Sequence, residues 1–330
     1  MLSHKRKRVL LACLLLVAAV ILTVGDVGAA GPGGEKYPEK AITMIAAISP
    51  GGGVDLAARV LANALSKEWG VPVNVVNKPG GAMVTGVLEM LKSAPDGYTV
   101  LADNAATASY HVVLPDLPFK IGDRTYLGGA STGSQALTVN AKLPWKDLRD
   151  VAAAAKKNPE KFKWGSLGGV TVADLALQQF FAEAGVDLPR TKNVRFTGAG
   201  PAMIALAGGH IDFTSGGVPA VLSYVQAGLA RVVAVTGPSK HLPEVKTAVE
   251  QGYQKVTSKA WQGYTGPVGV PKSVVTIWEQ TLKKVTNSPE YKEQIEKIGF
   301  YSSFMSSDEM KQRALEDAES AKKFLRMEKE

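Results

Sequence analysis

From residue 41 onward, short apolar runs alternate with longer stretches in which apolar residues recur every three or four positions. "AITMIAAI" (41–48) is a run of the first kind and reads as a buried strand. "GVDLAARVLANALSKEWG" (53–70) is of the second kind: Leu56, Val60, Leu61, Ala64 and Leu65 recur at helical spacing, and Gly70 ends the pattern. The alternation continues with a strand over 72–77, a helix over 84–94, a turn at 95–97 and a strand over 98–103. It resumes with strands over 136–140, 161–166, 193–198, 211–217 and 229–237, separated by helices over 145–158, 172–185, 200–210 and 218–228. An extended segment at 260–270 precedes a helix over 272–287, and the rest of the chain reads as amphipathic helix. Strands that alternate with helices predict an α/β protein with parallel sheets and crossover helices. One such series, a second, and a return to helices suggest two lobes joined by more than one crossing.

The first thirty residues follow a different pattern. Lys5, Arg6, Lys7 and Arg8 precede an uncharged run over 9–24, and small residues follow it. This order predicts a secretory signal peptide over 1–30, cleaved near Ala29–Ala30. An uncleaved anchor is the alternative, but the apolar run is shorter than the ~20 residues a membrane span needs. Cys13 is the only cysteine, and Leu10, Leu11 and Ala12 before it loosely imitate a lipoprotein cleavage site. Apolar or neutral residues continue well past it, so that cut would fall inside the segment. Cleavage near residue 30 removes the cysteine and with it any disulfide or thiolate chemistry.

The glycine-rich joints supply the candidate chemistry. "SPGGGVD" (49–55), "GSLGGVT" (165–171) and "TGAGPA" (197–202) each stand where a predicted strand gives way to a helix. Such joints let backbone N–H groups approach a ligand closely. Free N–H groups and a partial positive charge of ~0.5 at a helix N-terminus favour an anion. Ser49, Thr171 and Thr197 add hydroxyls, and Asp55 or Thr171 can cap its own helix. Ligands of open α/β sheets bind beyond the carboxyl ends of the strands, which in a two-lobed molecule is the edge facing the cleft.

Composition narrows the alternatives. The chain has 330 residues and a formal charge of +8; without residues 1–30 it keeps 34 basic and 29 acidic residues, a formal charge of +5. The basic residues are scattered, with no stripe interleaved with aromatics, so no nucleic-acid partner is expected. "GAGPAM" (198–203) lacks the third glycine of a dinucleotide fingerprint, and no GxxxxGK[ST] occurs. A carboxylate therefore suits the joints better than a phosphate. "WGSLG" (164–168) has Trp164 where a nucleophile elbow needs glycine. His111, His210 and His241 have no metal-ligand spacing, with His210 read as a surface residue entering a strand. Asp96 in "PDGYT" reads as a turn former. Tyr110, Trp261 and Tyr264 are either cleft aromatics or core. No enzyme activity, metal or cofactor is expected.

The run "YPEKAITMIAAISPGGGVDLAARVLANALSKEWGVPVNVVNKPGGA" resembles the Bug family, the extracytoplasmic solute-binding components of tripartite tricarboxylate transporters. So do "APDGYTVL", "AKKNPEKFKWGSLGG", "FTGAGPAMIALAGGHIDF", "LPEV" and "WQGYTGPVGVPKSVV", and the likeness covers nearly everything after residue 36. It implies a periplasmic binding protein of the type II fold, with two α/β lobes, each a mostly parallel sheet flanked by helices, and a ligand cleft between them. Lobe 1 would take 31–132 and 265–330 and lobe 2 would take 133–264, with crossings near 130–136 and 260–267. The resemblance also implies a clamp for a small organic carboxylate. Its first loop would be Ser49, Pro50, Gly51, Gly52, Gly53, Val54 and Asp55. Its second-lobe loops would be Ser166, Leu167, Gly168 and Gly169 with Thr171, and then Thr197, Gly198, Ala199 and Gly200. A membrane permease is the implied partner, and the protein is expected to act as a monomer. Presentation of the ligand to a periplasmic sensor is the alternative, ahead of an exported α/β enzyme. Five positions depart from the family pattern. Ile48 stands for an aromatic, Val54 for Thr, Met83 for Gly, Val170 for Gly and Asp174 for His.

Overall fold

A computed structural model describes residues 37–51, 53–114 and 116–324. The expected signal peptide, Cys13, the Ala29–Ala30 cleavage point and Gly52 lie outside the described residues. β1 (Ile42–Ala46), β2 (Val73–Asn77) and β3 (Thr99–Asn104) run parallel, linked by α1 (Gly53–Trp69) and α2 (Val84–Leu91). α3 (Ala105–Ala108) follows, and then the long strand β4 (Thr125–Asn140). The next elements are α4 (Leu148–Lys157), β5 (Lys163–Ser166), α5 (Val172–Ala184), β6 (Lys192–Arg195) and α6 (Ala199–Ala207). β7 (Phe213–Gly217), α7 (Val218–Gln226) and β8 (Ala230–Val235) complete that series. β9 (Lys259–Gly266), α8 (Lys272–Asn287), α9 (Pro289–Lys297), β10 (Tyr301–Met305) and α10 (Ser307–Phe324) close the described chain.

Local rules account for most of these elements. α1 buries Ala58, Leu61, Ala62 and Leu65. That stripe is rotated from the predicted one, leaving Leu56 exposed. α5 opens on a capping box in which Thr171 and Asp174 satisfy each other's backbone N–H groups.

The strands form one curled sheet in the order β2-β1-β3-β9-β4-β7-β5-β6, with β8 and β10 also paired to β4. The sheet is mixed, where strand–helix alternation predicts mostly parallel. Parallel pairing holds for β1 with β2 and β3, and for β5 with β6 and β7. β4 and β9 run antiparallel to each other, β9 also to β3, and β4 also to β7, β8 and β10. The reason lies in the connections: β4 and β9 are entered through loops, without the helical crossover that parallel neighbours require.

β4 joins the two halves of the sheet. Through Ser134 it pairs with β9, and from Gln135 onward with β7 and β8. Its first residues, "TYLGGASTGS", carry no apolar alternation, and the strand was not predicted before residue 136. Glycine is required at Gly128, whose φ is +123° and where a Cβ would lie 2.9 Å from Met305 O, and the neighbouring methionine side chains pack close against bare backbone. A Cβ on Gly129 would lie 2.5 Å from Met305 Cε, and one on Gly263 of β9 would lie 2.2 Å from Met310 Cε.

Separate cores lie under the two halves. Ile45, Val87, Met90, Leu101 and Phe119 pack together beneath the first. An aromatic group beneath the second includes Phe162, Trp164, Phe180, Phe181 and Phe213, with the Trp164 and Phe181 rings 5.1 Å apart. Full burial of each such ring is worth about 1.5–3 kcal/mol. Within the first half, Arg124 and Asp103 form a fully buried ion pair at 2.6 Å, and Asp103 also accepts from Thr265 Oγ1 at 2.8 Å and from Thr107. This ties β3, the start of β4 and β9 into a single frame. Among the described residues no helix is long and apolar enough to cross a membrane.

Candidate functional site

A cavity of about 800 Å³ opens at the carboxyl ends of the strands, and all three glycine-rich joints reach it. From the first joint, Gly53 and Val54 line it; from the second, Leu167, Gly168 and Thr171; from the third, Thr197, Gly198 and Ala199. Ser49, Pro50, Gly51, Asp55, Ser166, Gly169 and Gly200 belong to the same turns but do not line the wall.

Asp55, expected at the ligand, is buried and turned into its own loop. It accepts from Gly51 N–H at 2.8 Å, Arg59 Nε at 3.2 Å and Asn77 Nδ2 at 2.8 Å. Burial alone would raise its pKa; the bonds from Gly51, Arg59 and Asn77 outweigh that and hold it below the usual carboxylate range. Asn77 also donates to Ile48 O at 3.0 Å, so this network sets the shape of the first turn.

The second turn has a carboxylate of its own. Asp174 accepts from Leu167 N–H at 2.6 Å, from Thr171 N–H at 3.0 Å and from the Thr171 hydroxyl at 2.7 Å. Burial raises its pKa, and the donors, Gly169 N–H among them, offset that only in part. Gly168 and Gly169 adopt φ of +90° and +86°, backbone that favours glycine, which turns the chain around this carboxylate.

The third turn is different. Gly198 is the N-cap of α6, and α6 has no side-chain cap and no acidic residue in its first turn. A Cβ at Gly198 or Gly200 would meet nothing within 4 Å. Phe196 N–H donates to Ser166 O at 2.9 Å, which holds this turn beside the second. Of the three joints, only this one starts a helix that has neither a side-chain cap nor an acidic residue in its first turn.

Several lining residues were not predicted. Asn104, Ala105 and Ala106 border the cavity, together with Gln135, Gly217, Gln262 and Phe300. Asn104 caps α3 by accepting from Ala106 N–H at 2.8 Å, and an Asn at the junction of an apolar strand and an alanine run was the signal available for it. Asn104 stands opposite Gln262 in the β3–β9 pair. Asn104 Nδ2 and Gln262 Oε1 are buried without a hydrogen-bond partner. Phe300 follows the end of α9, in a stretch read as helix that contains β10. Of the aromatic candidates, Trp261 lines the cavity and donates from Nε1 to Asp317 at 2.7 Å, while Tyr110 and Tyr264 are core.

The Gly80–Met83 segment forms another stretch of wall, with Ala82 and Met83 at φ of +51° and +75°. Buried His111 faces the Ala82 carbonyl from Nε2 at 2.8 Å, which makes Nε2 the donor. Burial pushes the His111 pKa down to about 4, against the opposing pull of Ala82 O and Asp103, so the ring is neutral near pH 7. His210 is exposed, and His241 Nε2 lies 3.2 Å from Glu296 O. Among the described residues no group of three or more His, Cys, Asp or Glu side chains gathers to hold a metal.

The family model described as "Tripartite tricarboxylate transporter family receptor" matches residues 57–328. The chain belongs to this receptor family. BugT of Bordetella pertussis is 29% identical over 281 residues, covering 83% of this chain and 85% of its own. A solved protein described as a periplasmic transporter is 27% identical with a TM-score of 0.78, over 88% of this chain and all of the other. Rpa4515 of R. palustris, solved with adipate, superimposes with a TM-score of 0.78 at 22% identity, over 87% of this chain and 97% of its own, a likeness of fold. Receptors of this family are periplasmic solute-binding proteins, and the α/β sheet and helices described above are their architecture.

Set against that family, the departures noted in the sequence have a common location. Ile48, Val54, Met83 and Val170 all line the cavity, and the fifth, Asp174, is the carboxylate that takes up the donors of the second turn.

Proposed function

We propose that this receptor captures a small organic carboxylate between two lobes and, once closed, delivers it to the membrane permease of a tripartite tricarboxylate transporter. The two halves of the sheet act as the lobes, with β4 and β9 as the crossings, and the protein works in the periplasm without catalysing a reaction. The observation that carries this reading is the meeting of the three joints at one cavity, where the bare N-terminus of α6 supplies free N–H groups and positive dipole charge. The adipate in Rpa4515 lends support, since that protein shares the fold. A ligand touching both halves shifts the open–closed balance only by its extra affinity for the closed state.

The test is a thermal-shift screen of the mature protein against aliphatic and aromatic acids and their uncharged primary amides. Acids that raise the melting temperature, with inert amides, are the expected result. Stabilisation by amides and acids alike would remove the carboxylate from the reading.

A further inference from the structure

The donors at the cavity are unequally free. Asp55 takes Gly51 N–H in the first turn, and Asp174 takes Leu167 N–H, Thr171 N–H and the Thr171 hydroxyl in the second. The α6 N-terminus has neither an acid nor a side-chain cap of its own. Elsewhere the wall is apolar, through Ile48, Val54, Met83, Val170 and Phe300, and among the described residues no charged side chain lines it. The polar side chains that line it, among them Thr197, Asn104, Gln135 and Gln262, are neutral. Asn104 and Gln262, 8% and 4% exposed, border the cavity with Nδ2 and Oε1 unpartnered.

We propose that the receptor selects monocarboxylates: one carboxylate at the open N-terminus of α6, an apolar body against Ile48, Val54, Met83, Val170 and Phe300, and only neutral hydrogen-bonding groups elsewhere. This rests on the carboxylate reading above and sharpens it to a ligand class. A second carboxylate on the same body would be drawn out of water among apolar side chains and amides with no cation beside it, and Gly51 of the first turn and Leu167 and Thr171 of the second already donate to Asp55 and Asp174. An uncompensated buried charge is disfavoured far more strongly than a buried methyl or phenyl group. A neutral hydroxyl, in contrast, can accept from Asn104 Nδ2 or donate to Gln262 Oε1, and a carbonyl can accept from Asn104 Nδ2, atoms whose burial without a partner is itself unfavourable.

Calorimetry on the mature protein with matched acids distinguishes the outcomes. The probes are hexanoate against adipate and benzoate against terephthalate, within a panel of mono- and diacids of four to eight carbons. Each monoacid that binds is expected to do so at least about tenfold more tightly than its diacid, a gap of one tenfold step in Kd. Ile48→Arg places a cation in the apolar wall and is expected to move the preference toward the diacid, and Val54→Lys repeats this from the first turn of α1. A diacid that binds the unaltered protein as tightly as its monoacid overturns the proposal and leaves the carboxylate reading standing. A preference unmoved in both variants, each with a normal melting transition, overturns the role given to the wall. Absence of binding by every acid of the panel to the folded protein sinks the carboxylate reading, and this proposal with it.

Discussion

Asp55 and Asp174 are both carboxylates in the first turn of a helix beside the cavity, and both face inward to their own backbone. The sequence marks such positions as acid-friendly, because helix N-termini favour negative charge, but it does not say whether that charge comes from the protein or from a ligand. Side-chain hydrogen bonds decide it, and for Asp55 those include Asn77, 22 residues away, together with a turn geometry that no local motif specifies. For the same reason Ile48, Val54, Met83 and Val170 could be noted as departures while their shared wall became visible only in three dimensions. His111 is the other residue whose role depends on burial. An open chain protonates histidine near pH 6.5, whereas in the fold its pKa is about 4. The unfolded chain therefore takes up a proton that the native state refuses. Stability present above pH 6.5 is lost as the pH falls toward 4, by up to about 3 kcal/mol. His111→Gln should flatten the pH dependence of denaturant unfolding in that window. An unchanged slope would contradict the assignment.

At the scale of elements, the βαβ series were legible because each buries an apolar face with its own period. β1, α1, α5 and α8 lie within a few residues of their predicted limits. The first part of β4 and all of β10 were not, because both lack that period. One is built of Gly, Ser and Thr so that Met305 can pack against it, and the other is a five-residue strand between helices. The joints were found as glycine-rich turns before helices, but their inequality was not. α6 supplies the sharpest test at this scale. Gly198 is extended, with φ of 166°, and has room for a side chain. Gly198→Asp should cap the helix, stabilising the protein by a few tenths of a kcal/mol in denaturant unfolding, while it occupies donors meant for the ligand. Carboxylate binding should then be lost in a protein that melts higher. Retained affinity would place the carboxylate elsewhere.

At the scale of the molecule, β4 runs through both halves of the sheet and β9 returns beside it, so these two strands carry the chain where bending has to occur if the halves are to close. The buried Arg124–Asp103 pair braces β3 next to Asn104 of the cavity wall, whose N–H donates to Asp103. The two strand–helix series were legible in the sequence, whereas a single strand shared by both halves of the sheet was not, because its central residues carry no periodic signal. If the halves move as lobes, saturating ligand should lower the radius of gyration in small-angle scattering. An identical curve with and without ligand would contradict closure. In the proposed function, ligand recognition depends on main-chain donors at the α6 N-terminus reading a negative charge. Its most direct test is calorimetry on the mature protein with the best-binding acid and its primary amide, which differ in charge and hardly at all in shape. The acid should bind at least about a hundredfold more tightly, since a charge-assisted bond is roughly twice as strong as a neutral one and several form at once. Equal affinity for acid and amide would contradict it.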